Sequence, residues 1–138
     1  MRYQTISLTT GLFTGLLAAG TALAGHHKAS EEMKPIAAAG QVVVVYEVPC
    51  VNPDQGITTL KELIRYEAGK SPIAYMSVAT KLDDALVGAV DVHQSMAAMQ
   101  QAFAWQEADE TWLAIQAEAL KACEAQLDQI SMSIHSAQ

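Results

Sequence analysis

The sequence predicts a single α+β domain with the element order β-α-β-β-α-β. Three observations support this order: a β-branched run over 42–48 that stops at Pro49, two stretches with helical spacing of apolar residues, and a final segment in which apolar and polar residues alternate. The chain has 138 residues, a length that suits one domain with one hydrophobic core.

The start of the chain has the three parts of a secretory signal peptide. Met1 and Arg2 give a short positive start, an uncharged apolar run follows, and the small residues Ala22 and Ala24 precede the expected cut. The alternative is a membrane anchor, but glycines interrupt the apolar run and no stop-transfer pattern follows it. We therefore expect residues 1–24 to be removed, the protein to be periplasmic or secreted, and no stable membrane anchor to remain.

The domain is expected over residues 41–138, after a flexible N-terminal arm at 25–40 that is polar and Ala-rich. Its first strand, Val42 to Val48, is apolar on both faces, which predicts that both faces are covered. Residues 51–56 have the composition of a loop.

The first helix is predicted after this loop. Thr59 and Glu62 have the spacing of a capping box, and Gly69 with Pro72 marks the end of the helix.

Three strands and a broken helix complete the pattern. Strands are predicted over 73–80 and 86–93, and Ser95 is a plausible N-cap for the long helical stretch that follows. Asp109 offers a second N-cap, so we expect this stretch to break before it and to continue to Leu127. The last strand is predicted over 130–135.

This order is that of a ferredoxin-like fold, an antiparallel four-stranded sheet with helices on one face. The element order and the Phe103 to Trp112 spacing over about 41–135 resemble the dimeric α+β barrel superfamily, and within it NIPSNAP-like and antibiotic-biosynthesis-monooxygenase-like domains. The resemblance implies a homodimer in which two sheets pack face to face and enclose a cavity.

Strand alternation predicts which residues would line that cavity. We expect Leu86, Val90 and Val92 to face the helices, and the opposite, bare face to gather polar groups from three strands. The set expected on this face is Val43, Val45, Glu47, Ala89, Asp91, His93, Ser131, Ser133 and His135.

Two classes of function follow from this set. The first is a non-enzymatic protein that binds a small, largely apolar ligand between subunits, without a cofactor. The second, implied by the resemblance, is a cofactor-independent monooxygenase or isomerase with His93 or His135 as base and Asp91 or Glu47 orienting it. No phosphate loop, nucleophile elbow, HExxH or CxxC motif is present. The net charge of −7 disfavours nucleic acid as a partner.

The new N-terminus is a candidate metal site. Cleavage after Ala24 would leave Gly25, His26 and His27 at the start of the chain. A free amine, two amides and the third-residue imidazole suit the square-planar geometry of Cu(II) or Ni(II). The alternative is a solvated polar start.

The two cysteines are predicted to lie at the same pole of the domain. Cys50 follows the first strand, and Cys123 is near the end of a helical stretch that runs back toward it. An oxidising compartment favours a Cys50–Cys123 disulfide over two free thiols.

Overall fold

The computed structural model describes residues 34–138. Residues 34–41 form no helix or strand, and the domain follows them. Its elements are β1 (Val42–Pro49), α1 (Pro53–Lys70), β2 (Tyr75–Lys81), β3 (Leu86–His93), α2 (Met96–Ala108), α3 (Glu110–Cys123), a 3₁₀ turn (Leu127–Gln129) and β4 (Ser131–Ser136). The predicted signal peptide and most of the predicted arm lie outside the described residues.

The four strands form one antiparallel sheet in the order β2-β3-β1-β4. The two central strands, β1 and β3, pair along their whole length, from Val42 opposite His93 to Pro49 opposite Leu86. The helices pack on one face of this sheet. The predicted ferredoxin-like α+β fold is therefore confirmed.

Helix α1 begins six residues earlier than the predicted cap. Pro53 occupies its first turn, where a missing N–H costs nothing, and the Asn52 side chain makes no capping hydrogen bond. The Thr59 hydroxyl instead donates to the backbone oxygens of Gln55 (3.3 Å) and Gly56 (3.0 Å), inside the helix. The predicted capping box at Thr59 is therefore wrong, because its hydroxyl bonds back to the preceding turn.

The break in the second helical stretch is confirmed. Helix α2 ends at Ala108, and the Asp109 side chain accepts a 2.8 Å hydrogen bond from the Trp112 N–H at the start of α3. The Ser95 hydroxyl caps α2 by accepting from the Ala98 N–H at 3.2 Å. Helix α3 ends at Cys123 rather than near 127, because Glu124 adopts the left-handed conformation with φ 57°.

Cys50 and Cys123 form a disulfide, as predicted. Their Cα atoms are 4.1 Å apart, and both residues are buried in a cluster with Val87 and Ala125. Gly56 of α1 lies against the two sulfurs. The disulfide therefore joins the end of β1 to the end of α3 beneath α1.

The sheet has a covered and an uncovered face. Val42 and Val44 are buried against Met99 of α2, whereas Met76 and Val78 on the opposite face are 58% and 52% exposed. Strand β4 is exposed on both faces. No helix in residues 34–138 has the length and apolar character needed to cross a bilayer.

Candidate functional site

The pairing of β1 with β3 corrects the predicted surface. Val44 lies opposite Asp91, and Val42 lies opposite His93. Residues directly opposite each other in an antiparallel pair share a face, so Asp91 and His93 face the helices. Ala89, opposite Tyr46, does the same.

The expectation that Ala89, Asp91 and His93 lie on the bare face is therefore wrong. The same register places Val90 opposite Val45 and Val92 opposite Val43, so these two residues, which were expected to face the helices, lie on the bare face. On the covered face Asp91 has Ser77 and Tyr46 as polar neighbours, whereas the His93 ring lies between the rings of Tyr75 and Phe103.

The remaining residues of the predicted surface do come together on the bare face. The register places His135 opposite Val43, Ser133 opposite Val45 and Ser131 opposite Glu47. The Ser131 hydroxyl donates to Glu47 Oε2 at 3.2 Å, and His135 Nε2 lies 3.1 Å from the Ser133 hydroxyl. This group is exposed and holds no carboxylate beside its histidine. Its catalytic and cavity roles stay predictions.

A cavity lies on the other side of the sheet, between the sheet and the helices. Its volume is about 100 Å³. Much of its wall is aliphatic, including Leu63 and Ala89, and it also contains the side chains of Tyr46, Glu67, Asp91 and Trp112. A partly open, largely apolar space with a few polar groups has the composition of a small-molecule site.

Glu67 of α1 is the centre of a buried hydrogen-bond network. Its Oε1 accepts from Trp112 Nε1 at 2.7 Å and from Gln106 Nε2 at 3.3 Å. Gln106 Nε2 also donates to the Tyr75 hydroxyl at 3.0 Å. Burial raises the pKa of Glu67, and these donors oppose the rise because they favour the carboxylate.

Asp91 of β3 is a second buried carboxyl group in the same cavity. It is 3% exposed, and its Oδ1 has no hydrogen-bond partner. Burial raises the pKa of Asp91 to about 7; Ser77 and Tyr46 oppose the rise, and the charge of Glu67 adds to it. A carboxyl group with this pKa can accept or release a proton near neutral pH.

His93 is fully buried and has no partner for either ring nitrogen. Its ring stacks on Tyr75 with centroids 4.7 Å apart and meets Phe103 edge-on at 6.0 Å. Burial lowers the pKa of His93, which favours the neutral ring. His93 does not line the cavity, so it is placed to pack rather than to reach a bound molecule.

Sequence reasoning missed Glu67, Gln106 and Trp112 as site residues. One signal was available: Glu67 continues the apolar stripe of Leu60 and Leu63 at helical spacing. A carboxylate on the buried stripe of a helix requires partners, which indicates a polar site inside the fold.

The predicted copper site at His26 and His27 lies outside the described residues and stays a prediction. Within residues 34–138, no group of three or more His, Cys, Asp or Glu side chains is arranged to hold a metal ion.

Comparison with protein-family models and with curated proteins gives no match. Solved structures do match. SnoaB, a cofactor-independent oxygenase from Streptomyces nogalater, is 16% identical with a TM-score of 0.51, and the match covers 72% of this chain and 95% of SnoaB. A putative antibiotic biosynthesis monooxygenase from Caulobacter crescentus is 14% identical with a TM-score of 0.51, over 72% of this chain and 92% of that chain.

The chain has the antibiotic-biosynthesis-monooxygenase-like fold. The predicted resemblance to antibiotic-biosynthesis-monooxygenase-like domains is therefore confirmed at the level of the fold. The narrower likeness to NIPSNAP domains stays a prediction.

Proposed function

We propose that this protein is a cofactor-independent oxygenase or isomerase, and that its site is the cavity within the chain. The observation behind the proposal is the Asp91 carboxyl group, which is buried in a largely apolar cavity and keeps one oxygen without a partner. The likeness of the fold to SnoaB supports the oxygenase class.

The proposed chemistry begins with proton transfer to Asp91. A carboxylate with a pKa of about 7 is ionised in a large fraction of molecules at neutral pH and is a stronger base than an exposed aspartate. It would take a proton from a bound C–H or O–H group. The deprotonated substrate would then react with dioxygen in an oxygenase, or regain the proton at another atom in an isomerase.

The cavity limits the size of the substrate. A volume of about 100 Å³ is comparable with the ~150 Å³ engineered cavity that admits benzene. A molecule of one ring fits this space. Leu60, Gln116 and Ile130 line the cavity and are only half-buried, so an entrance on their side is part of the proposal.

Replacement of Asp91 tests the proposal. Purified protein would be mixed with single-ring phenols, cyclic ketones and N-alkylated heteroaromatic compounds, and oxygen uptake and deuterium exchange at acidic positions would be measured. We expect Asp91→Asn to lose at least about a hundredfold in rate, the usual effect of general-base loss. Asp128→Asn, an exposed control, should keep the rate.

Full activity in Asp91→Asn would contradict the proposal. Saturable ligand binding without turnover in any of these assays would favour the alternative, a non-enzymatic binding protein. The location of the bound ligand would then decide between the cavity within the chain and the predicted cavity between subunits.

A homodimer and export complete the proposal. The exposed apolar side chains of Met76 and Val78 on the bare sheet face support a second copy as the partner. The predicted signal peptide and the disulfide support a periplasmic or secreted location. N-terminal sequencing of protein from the periplasm or medium tests the cut after Ala24, and an intact N-terminus would contradict it.

A further inference from the structure

The cavity contains two carboxyl groups and no basic side chain among the lining residues that the structure describes. Glu67 and Asp91 both contribute to its wall, and the remaining polar groups there are neutral hydroxyl, amide and indole groups. The ion pairs found in residues 34–138 involve Lys81 and Lys121 at the surface and neither cavity carboxyl. Negative charge on these two carboxyl groups, when they are ionised, is therefore not balanced by a basic side chain among the lining residues that the structure describes.

The hydrogen bonds of the two carboxyl groups differ. Glu67 accepts two N–H donors, from Trp112 and Gln106, and such donors stabilise a carboxylate. Asp91 Oδ1 is buried without any donor. An unsatisfied buried acceptor is costly, so this oxygen is a vacant position for a donor supplied by a bound molecule.

The charge of that molecule follows from the same arrangement. An anionic ligand would add a third negative group to an apolar space, which costs free energy. A cation would interact favourably with both carboxyl groups, and the aromatic residues Tyr46 and Trp112 in the wall also attract cations.

We infer that the cavity binds a small organic cation of about one ring, whose positively charged nitrogen lies between Glu67 and Asp91. The inference rests on the proposed function and names its substrate class. When Asp91 takes a proton from a cation, the C–H or N–H electron pair stays on the substrate, which becomes neutral, and Asp91 becomes a neutral acid. Proton removal from a neutral molecule would instead leave an anion beside Glu67.

Three probes of equal ring size but different charge test the inference: benzylammonium, benzyl alcohol and benzoate, titrated at pH 8 by calorimetry. We expect benzylammonium to bind at least about tenfold more tightly than benzyl alcohol, because its hydrogen bonds to carboxylates are charge-assisted. Benzoate should not bind. Equal affinity for the first two, a preference for benzoate, or no binding of any probe would overturn the inference.

Two variants test whether the tighter binding of the cation depends on the cavity. Glu67→Gln should weaken benzylammonium binding about tenfold and leave benzyl alcohol within about threefold. Glu62→Gln, an exposed position on the same helix, should change neither. In the NMR spectrum, the indole N–H signal of Trp112 should shift saturably with benzylammonium, and that of Trp105 should not. Equal losses in the two variants would place the cation on the acidic surface and contradict the inference.

A measurement on the unmodified protein covers the case in which Glu67→Gln does not fold. The titratable groups facing Asp91 are Glu67 on α1, Tyr46 on β1 and Tyr75 on β2, and both tyrosines have raised pKa values and stay neutral. Benzylammonium affinity should therefore fall as the pH is lowered from 8 to 6, while benzyl alcohol affinity stays constant. A flat profile for benzylammonium would overturn the inference.

These outcomes are separable from those of the proposed function. Selective binding of the cation without proton exchange would support the inferred ligand class and contradict the proposed enzyme activity. Turnover of neutral rings with no preference for cations would support the enzyme activity and contradict the inferred ligand class.

Discussion

The indole Nε1–H of Trp112 donates a 2.7 Å hydrogen bond to Glu67 Oε1, which joins α3 to α1 inside the core. The two residues are 45 positions apart in the chain, and both line the cavity. This bond explains how a carboxyl group is held on the buried stripe of α1. It also makes the stability of the fold depend on the ionisation of Glu67.

Removal of that bond should destabilise the fold in a pH-dependent way. In Trp112→Phe the Glu67 carboxylate loses a buried donor, which costs roughly 1–3 kcal/mol in the free energy of unfolding. The loss should increase from pH 4 to pH 8, because only the ionised carboxylate gains fully from the donor. Urea unfolding at several pH values measures it. Trp105→Phe, which replaces the indole stacked on Tyr66 without removing a donor to Glu67, is the control and should show no such slope.

Asp91 should make the folded protein less stable as the pH rises. Its folded pKa of about 7 lies above the ordinary 3.8, so the folded state binds more protons between these values, and stability present at low pH is lost as the pH passes through 7. The whole effect is on the order of 4 kcal/mol. Asp91→Asn lacks this loss, so its stability relative to the unmodified protein should increase from pH 4 to pH 8.

The difference in unfolding free energy between the unmodified protein and Asp91→Asn reports the effect of Asp91 alone. His93, whose pKa burial lowers, destabilises both proteins alike as the pH falls below its ordinary value. Denaturant unfolding of the pair across this range gives the difference directly. A difference that does not change with pH would contradict the assignment of the raised pKa.

Gly56 should be required only while the disulfide is present. A Cβ added at this position would lie 2.5 Å from Cys123 Sγ and 2.6 Å from Cys50 Sγ, too close for real atoms. Gly56→Ala should therefore destabilise the oxidised protein by roughly 1–3 kcal/mol. Alanine replacement of both cysteines removes that clash, at a cost on the order of 4 kcal/mol from the lost cross-link.

Thermal unfolding of the four proteins in this cycle measures the coupling. We expect the effect of Gly56→Ala to fall below half of its value in the cysteine-free background. An undiminished effect would mean that the glycine serves the helix rather than the disulfide.

The bare sheet face should control oligomeric state. Lysine at position 78 would place a charge on the bare sheet face that forms the proposed sheet-to-sheet interface, so Val78→Lys should convert a dimer into a monomer at tens of micromolar. Leu127→Lys, which changes another exposed apolar residue, in the 3₁₀ turn, should stay dimeric. Light scattering after size exclusion distinguishes the two. A monomeric unmodified protein would contradict the homodimer itself.

Much of the fold is encoded locally and could be predicted from the sequence. The valine run up to Pro49, the alternation in the last strand and the Asp109 cap are local signals, because each depends on neighbours within a few residues. From these signals the number, type and order of the elements could be predicted. Their order then placed Cys50 and Cys123 at one pole, so the disulfide was also predictable.

The site depended on tertiary structure. Alternation separates Asp91 and His93 from Val90 and Val92, but both sets are compatible with either face of β3. Only the pairing of Val44 with Asp91 decides the face, since residues opposite each other must share it. The sequence alone therefore determined which elements form and in what order. The packing of three helices on that face decided that a carboxyl group lies inside, because its partners are brought together from distant parts of the chain.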